Sequence, residues 1–361
     1  MKITVRKSVL LLFVVSLSAL HAATCRAENK RQLKKPTIAV ELPEKYNTPD
    51  GMTVGPDGDI YLSIPNFGND KYPAKILKIS KDDKITEFCD VPAHPETKKA
   101  CPLGIDFASD GNLYIADAQG LAGFKEHKSR LLRVVIKNGK AVKIEPVVTG
   151  FIIANAVSAN GDCVYVTETE LDGKPDPMPS GVYRFKLSEL QGDKPIKLKP
   201  GGKDKHLIAK LYTKNKDWRV GANGLGFDSK GNMFACNFGD AAVNKITLDK
   251  KGKVKSNEVF VQGKGMLCTD GLKICPKTDD IYIADFLGNA VHRVCAKTGK
   301  VTTLARNDDT DGAGGLLDKP SEVCLRGGKL YIANIDLPLA GNTHDKPHTI
   351  SVIVLGESKK P

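Results

Sequence analysis

The chain has 361 residues, enough for two or three ordinary domains or for one large all-β domain. Its 41% hydrophobic and 27% charged residues exclude a disordered or collagen-like chain, and 34 Gly and 20 Pro against 6% aromatics point to many tight turns and exclude a helical bundle. Lys and Arg outnumber Asp and Glu by 54 to 42, but the excess is scattered lysine without interleaved aromatics. That is a solvated basic surface rather than a nucleic-acid interface, with an acidic wall or a glycan as the weaker reading of its partner.

Residues 1–27 read as a secretory signal peptide. Lys2, Arg6 and Lys7 precede the apolar run Val9 to Leu20, and Ala22, Ala23 and Ala27 supply the small residues of a cleavage region, expected near Ala27. The run is too short to span a bilayer, so no transmembrane segment is expected and the chain is placed in a secreted or periplasmic location. Cleavage lowers the basic count to 50 against 42 acidic residues, a net charge of +8, and leaves eight of nine cysteines. An even number in an exported chain permits disulfides, whose pairing stays open. Cys89, Cys101, Cys163, Cys236, Cys268, Cys275, Cys295 and Cys324 contain no CxxC, so neither a zinc ribbon nor a redox pair is indicated. Residues 28–361 are left as one domain.

In chain order, Thr37 to Leu42 is an apolar alternation that reads as a single strand, and one pattern then recurs six times. It runs from Pro49-Asp50-Gly51-Met52 to Ile60-Tyr61-Leu62, from Pro102-Leu103-Gly104-Ile105 to Leu113-Tyr114-Ile115, and from Ala154-Asn155-Ala156-Val157 to Val164-Tyr165-Val166. It continues from Ala222-Asn223-Gly224-Leu225 to Met233-Phe234-Ala235, from Thr269-Asp270-Gly271-Leu272 to Ile281-Tyr282-Ile283, and from Pro320-Ser321-Glu322-Val323 to Leu330-Tyr331-Ile332. The leading positions are spaced 53, 52, 68, 47 and 51 residues apart. Each unit carries β-rich segments bounded by turn residues, such as Leu113 to Asp117, Leu131 to Ile136 and Ala141 to Val148. Four strands per unit, six times, is an all-β six-bladed β-propeller. The sixth unit ends one strand short, and Thr37 to Leu42 is expected to supply that strand and close the ring. The long spacing after the third unit reflects a Lys-rich insertion, 188–206, read as a solvated loop on the face opposite the leading positions.

Because the first strand of a propeller blade lines the tunnel, the residues just before it form a ring at one mouth: Asp50, Leu103, Asn155, Asn223, Asp270 and Ser321. Carboxylates and amide oxygens suit a hard cation, Ca2+ ahead of Mg2+. Asp-Gly and Asn-Gly are also common turn dipeptides, a competing reason for these residues that Asn155-Ala156 fits less well. A second recurring polar position, Asp117, Glu168, Asn237, Asp285 and Asn334, reads as structural, accepting backbone hydrogen bonds at a strand end. The aromatics Tyr61, Tyr114, Tyr165, Phe234, Tyr282 and Tyr331 read as packing between blades, and His292 as structural.

In blade order the ring resembles the SMP-30/gluconolactonase (regucalcin-type) family of six-bladed propellers within the paraoxonase-like superfamily, over most of residues 37–355. The resemblance implies a divalent cation, Ca2+ ahead of Zn2+ or Mg2+, held by Asp50, Asn155, Asn223 and Asp270 from blades one, three, four and five. It further implies hydrolysis of a lactone or related ester, with Asp270 as general base, nucleophile or ligand alone. Asp50 departs from the family's Glu; the missing methylene draws the carboxylate back by about 1.5 Å. The family's basic substrate-binding residue has no counterpart.

Loops 64–74, 118–129, 169–180 and 336–348, with the entry to blade four, share the ring's mouth. They offer Phe67, Phe124, His127, Trp218, Arg219, His344 and His348 as rim residues for a small-molecule substrate. No phosphate loop, dinucleotide fingerprint, His-Glu-x-x-His or Gly-x-Ser-x-Gly is present, which argues against nucleotide chemistry and serine hydrolysis. The alternatives are a non-catalytic NHL-like binding propeller, to which Leu113 to Asp117 and Ile281 to Asp285 are also similar and which would take a protein or glycan partner, and a propeller lyase, for which Glu322 beside the ring is the available residue.

Overall fold

Leu113–Asp117 is a strand with all five residues buried, and Ile60–Ile64, Met233–Asn237 and Ile281–Asp285 repeat the pattern. Apolar, β-branched and aromatic residues suit a strand covered on both faces, and neighbouring sheets provide that cover here. The computed structural model describes residues 33–355 except 70 and 125, and it forms six four-stranded antiparallel sheets, one of which gains a short fifth strand. The chain is a six-bladed β-propeller. All six sheets fall in one compact unit that begins at Lys35. The proposed signal peptide and its cleavage point lie outside the described residues.

The inner strands are Met52–Val54, Pro102–Phe107, Ala154–Asn160, Ala222–Phe227, Leu272–Ile274 and Pro320–Arg326. They pack side by side in sequence order, and the last returns to the first. Thr37–Leu42 is the outermost strand of the sixth sheet, antiparallel to His348–Val354, with Thr37 opposite Val352 and Leu42 opposite His348.

Core clusters bridge adjacent blades. Tyr61 of blade one meets Phe107 of blade two edge-on at 4.8 Å, and Tyr165 of blade three packs on Phe227 of blade four at 4.7 Å. Tyr331 shares a core with Met52 and Ile60 across the join between blades six and one. The recurring aromatics therefore pack between sheets.

The insertion differs from the solvated loop expected for it. After a 3-10 turn at Leu187–Gln191, Ile196–Lys197 pairs in parallel with Val148 and Thr149 on the outer strand of blade two. Leu190 and Leu198 are buried, and Arg133 donates to Gln191 at 2.7 Å. The outer strand of blade two, Lys140–Phe151, is twelve residues long, and a long bare edge invites pairing with another chain; the insertion covers part of it.

The eight cysteines from Cys89 to Cys324 are free thiols. No helix among the described residues is long and apolar enough to cross a membrane.

Candidate functional site at the tunnel mouth

Each inner strand begins on a β-bulge. In blade one the Asp50 N–H donates to Ser63 O at 3.0 Å and the Ser63 N–H to Gly51 O at 2.9 Å, so two residues oppose one. Asp270 and Gly271 oppose Ala284 in the same way, at 2.9 and 3.0 Å. Elsewhere the pairing skips from Pro102 to Ile105, from Ala154 to Val157, from Ala222 to Leu225 and from Pro320 to Glu322. A bulge takes a side chain out of the strand's alternation, and here it does so at all six leading positions.

The glycines that follow answer to packing between blades and not to turn geometry. Gly51, Gly104, Gly224 and Gly271 do not have positive φ. Each instead abuts the next blade's bulge: a Cβ on Gly51 would stand 2.3 Å from Leu103 O, and one on Gly224 or Gly271 would stand 2.5 Å from Asp270 O or Ser321 O. Gly224 and Gly271 also donate to those two carbonyls, at 3.0 and 2.8 Å. Close approach between blades explains the glycines and leaves the Asp and Asn before them unexplained by backbone needs.

The ring's electrostatics show the two carboxylates converging. Burial pushes the Asp50 carboxyl up to about 6, against the relief offered by the Ser321 hydroxyl and the Gly51 N–H. Asp270 is held well above the ordinary carboxylate range by burial first, then by the charges of Asp50 and Glu322, while the Asn223 side chain favours its ionised form. Both are enclosed by protein yet keep partial accessible surface. Among the described residues neither has a salt-bridge partner, and the buried Ser321 hydroxyl makes no well-formed hydrogen bond. Asn155 stands half-buried on the equivalent bulge of blade three, and buried Leu103 adds no polar group.

Three positions further along the inner strands lie Asp106 and Lys273, which the sequence reading did not single out, and they stand near Glu322, the residue next to the ring that it did name. Lys273 Nζ stands 3.8 Å from Glu322 Oε2. Burial, which alone would lower the Lys273 pKa, is outweighed by Glu322 and Asp106, so it stays raised. Glu322 is pushed up to about 7, chiefly by burial. Asp106 accepts from Thr53 Oγ1 at 2.8 Å and from the Ala159 N–H at 2.9 Å. A lone charged residue in an otherwise apolar inner strand, as in Ile105-Asp106-Phe107 and Leu272-Lys273-Ile274, is the signal that could have found them.

The second recurring position is structural. Asp117 accepts from the Cys101 N–H at 2.8 Å and pairs with Arg130, and Glu168 accepts from Ile152 and Ile153 at 2.9 and 2.6 Å. Asn237 accepts from Thr213 Oγ1 at 2.8 Å, Asp285 from Leu267 and Cys268 at 2.9 and 3.0 Å, and Asn334 from the Asp318 N–H at 3.2 Å.

The rim residues have separate surroundings. Phe67 packs on Leu103, Ala118, Ile152 and Ile153, which places it beside the ring's apolar member. Trp218 stands 6.3 Å from Phe238 in a cluster with Phe286 and Ile335. Arg219 donates to the carbonyls of Gly173 and Pro175 at 2.8 and 2.7 Å, strapping the entry of blade four to the loop of blade three. Phe124 is half-buried, its N–H bonded to Gln119 O. His127 Nδ1 lies 3.1 Å from Gly150 O on the outer strand of blade two, away from the inner strands. His344 stacks on His348 at 5.0 Å and bonds Asp336 O at 2.9 Å. A cavity of about 690 Å³ opens on the same face, between Phe67, the segment Val91 to Cys101 and Leu337–Leu339, and no ring residue lines it.

The fold and this mouth define a six-bladed propeller with a converging carboxylate and amide site. In structure, the chain is similar to the PQQ-bound aldose sugar dehydrogenase of Streptomyces coelicolor, with a TM-score of 0.57 and 17% identity over 89% of this chain and 97% of that one. It is also similar to the luciferin-regenerating enzyme, with a TM-score of 0.59 and 14% identity over 89% and 96%. A protein provisionally named a gluconolactonase gives a TM-score of 0.54 and 15% identity over 88% and 91%. At these identities the likeness carries the fold. In sequence, no family model and no curated protein matches the chain.

Proposed function

We propose that the protein is an exported, metal-dependent hydrolase of a lactone or related ester, of the SMP-30/gluconolactonase type. The observation that carries this reading is the pair Asp50 and Asp270: two enclosed carboxylates that repel each other, with the Asn223 side chain on Asp270 and the Ser321 hydroxyl beside Asp50, and with no salt-bridge partner among the described residues. Such a donor set fits a hard divalent cation, Ca2+ ahead of Zn2+ or Mg2+, which would offset the repulsion. Asp50, Asn155, Asn223 and Asp270 would hold the ion. Bound there, it would act as a Lewis acid toward a carbonyl oxygen.

The chain's own residues supply the rest. Asp270 takes the proton of an attacking water or attacks the carbonyl itself, and Asn223 orients its carboxyl. Phe67 and Trp218 give the mouth apolar walls for the body of an ester. Single turnover in 18O-labelled water separates the two roles: the label goes directly to product if Asp270 is a base, whereas it enters the Asp270 carboxyl and the first product is unlabelled if Asp270 is the nucleophile and water cleaves the covalent intermediate at the Asp carbonyl. Export rests on Lys2, Arg6, Lys7 and the apolar run that follows, and N-terminal sequencing of the mature chain tests it.

The deciding experiment is calcium titration with a lactone hydrolysis assay on wild type and Asp270→Asn. Stoichiometric binding and turnover, both lost in the variant, support the reading; retention of both removes it. A non-catalytic binding propeller is the second reading, favoured by the exposed Leu121, Leu339 and Tyr72 around the 690 Å³ cavity. It expects the ring to be dispensable.

A further inference from the structure

We propose a second metal site, for a first-row divalent ion of the Zn2+ class, built by Asp336, His344 and His348 with Asp318 and Asp345 at its edge. Asp336, His344 and His348 each offer a ligand atom, and these lie within 4.8 Å of one another. The carboxylates of Asp318, Asp336 and Asp345 form a second such group, so Asp336 belongs to both.

Three buried atoms in this cluster lack hydrogen-bond partners: Asp318 Oδ1, Asp345 Oδ1 and His348 Nδ1. Asp318 and His348 are only 2% and 3% exposed, where an unpartnered polar atom is costly and rare. His348 Nδ1 is aimed into the cluster, 4.0 Å from Asp336 Oδ2.

The surroundings prepare these groups for a metal. His348 Nε2 stands 3.3 Å from Glu44 Oε2, so the ring proton sits on Nε2 and the Nδ1 lone pair faces Asp336. A carboxylate on the far nitrogen is the usual way a ligating imidazole is oriented and made more basic. Asp336 is fixed by Asn342 Nδ2 on Oδ1, at 2.8 Å, and by the Asp345 N–H on Oδ2, at 2.9 Å. His344 Nδ1 lies 3.0 Å from the same Oδ2, and an ion would replace the proton between them.

Two imidazoles with carboxylates favour Zn2+ over Ca2+ and Mg2+, the reverse of the all-oxygen ring. The ion would pin the loop 336–348 to the start of strand His348–Val354 and, through Glu44, to the entry of blade one. That loop carries Leu337 and Leu339, a wall of the 690 Å³ cavity. This site does not depend on the ring reading.

The test is calorimetric titration of Zn2+ alone into the full chain after chelator treatment. Saturable one-to-one binding is expected, weakened at least tenfold in His344→Ala and about 10–100-fold in Glu44→Gln, and unchanged in Asp50→Ala. His344 lies in the loop 336–348 with its side chain 18% exposed, outside every strand, so its truncation is expected to leave the fold intact, as circular dichroism will check. Co2+ loaded into the wild type gives an independent readout, with visible absorption bands of a nitrogen-ligated ion expected. Absence of Zn2+ binding, binding undiminished in folded His344→Ala, or Co2+ without those bands would overturn the proposal.

Discussion

His292 Nε2 lies 3.0 Å from Asp285 Oδ2 in blade five, and neither side chain has any exposed surface. Burial alone would push the Asp285 carboxyl up, but the His292 hydrogen bond and the N–H groups of Leu267 and Gly288 outweigh it and hold the pKa below its usual value. The pair anchors the second strand of blade five to its third strand and to the entry segment at Leu267 and Cys268. Truncating His292 to Ala removes the closest side-chain partner of a buried carboxylate and leaves only Arg306, at 3.9 Å, and backbone N–H groups, and a loss of about 3 kcal/mol is expected in guanidinium unfolding.

Calcium should stabilise the wild type through the ring. At a free concentration of 100 times Kd the expected gain is about 2.7 kcal/mol, read as a rise in thermal midpoint. Asp50→Ala, Asn223→Ala and Asp270→Asn should each abolish most of that rise. A stabilisation that survives all three would place the ion elsewhere.

Stability should fall as pH rises from 5 to 8.5 in the absence of added metal. Burial, working against the Ile153 and Ile152 N–H groups, holds the Glu168 pKa at about 8, whereas an unperturbed glutamate titrates at 4.5. Between those values the folded chain keeps a proton that the unfolded chain has released, so folding is favoured at the acid end. Asp50, raised to about 6, and Glu322, raised to about 7, act in the same direction. Glu168→Gln should flatten the dependence by its share, measured by denaturant unfolding at both pH values.

The insertion should behave as part of the core of blades two and three. Leu190 is 2% exposed and packs in the cluster that contains Phe151, Tyr183 and Phe185, so Leu190→Ala should cost about 2–5 kcal/mol. Replacing residues 192–203 by a short polar loop should additionally bare the edge strand of blade two and promote self-association, visible by light scattering.

Much of this architecture is local and therefore legible in the chain. The blade number follows from a motif that recurs every fifty residues or so, and the buried second strands announce themselves by composition, as in Ile281-Tyr282-Ile283-Ala284. Asp285 and its equivalents could be read as strand-end acceptors because their partners lie within about one hairpin. The insertion is not legible as core in the sequence because its buried leucines are separated by lysines, and their covering surface belongs to another blade. The role of Gly51, Gly224 and Gly271 was open for the same reason, since the atoms they avoid are on the neighbouring sheet.

The sequence by itself determined the repeat, the strand pattern and the equivalence of Asp50, Asn155, Asn223 and Asp270, since each rests on short-range periodicity. Only the tertiary structure decided that Asp50 and Asp270 share one electrostatic environment, that Lys273 and Glu322 lie below them, and that His348 meets Glu44 from 304 residues away. Those relationships exist because six separate hairpin systems close into a ring, and the distances across that ring are set by packing between blades, which no local pattern encodes.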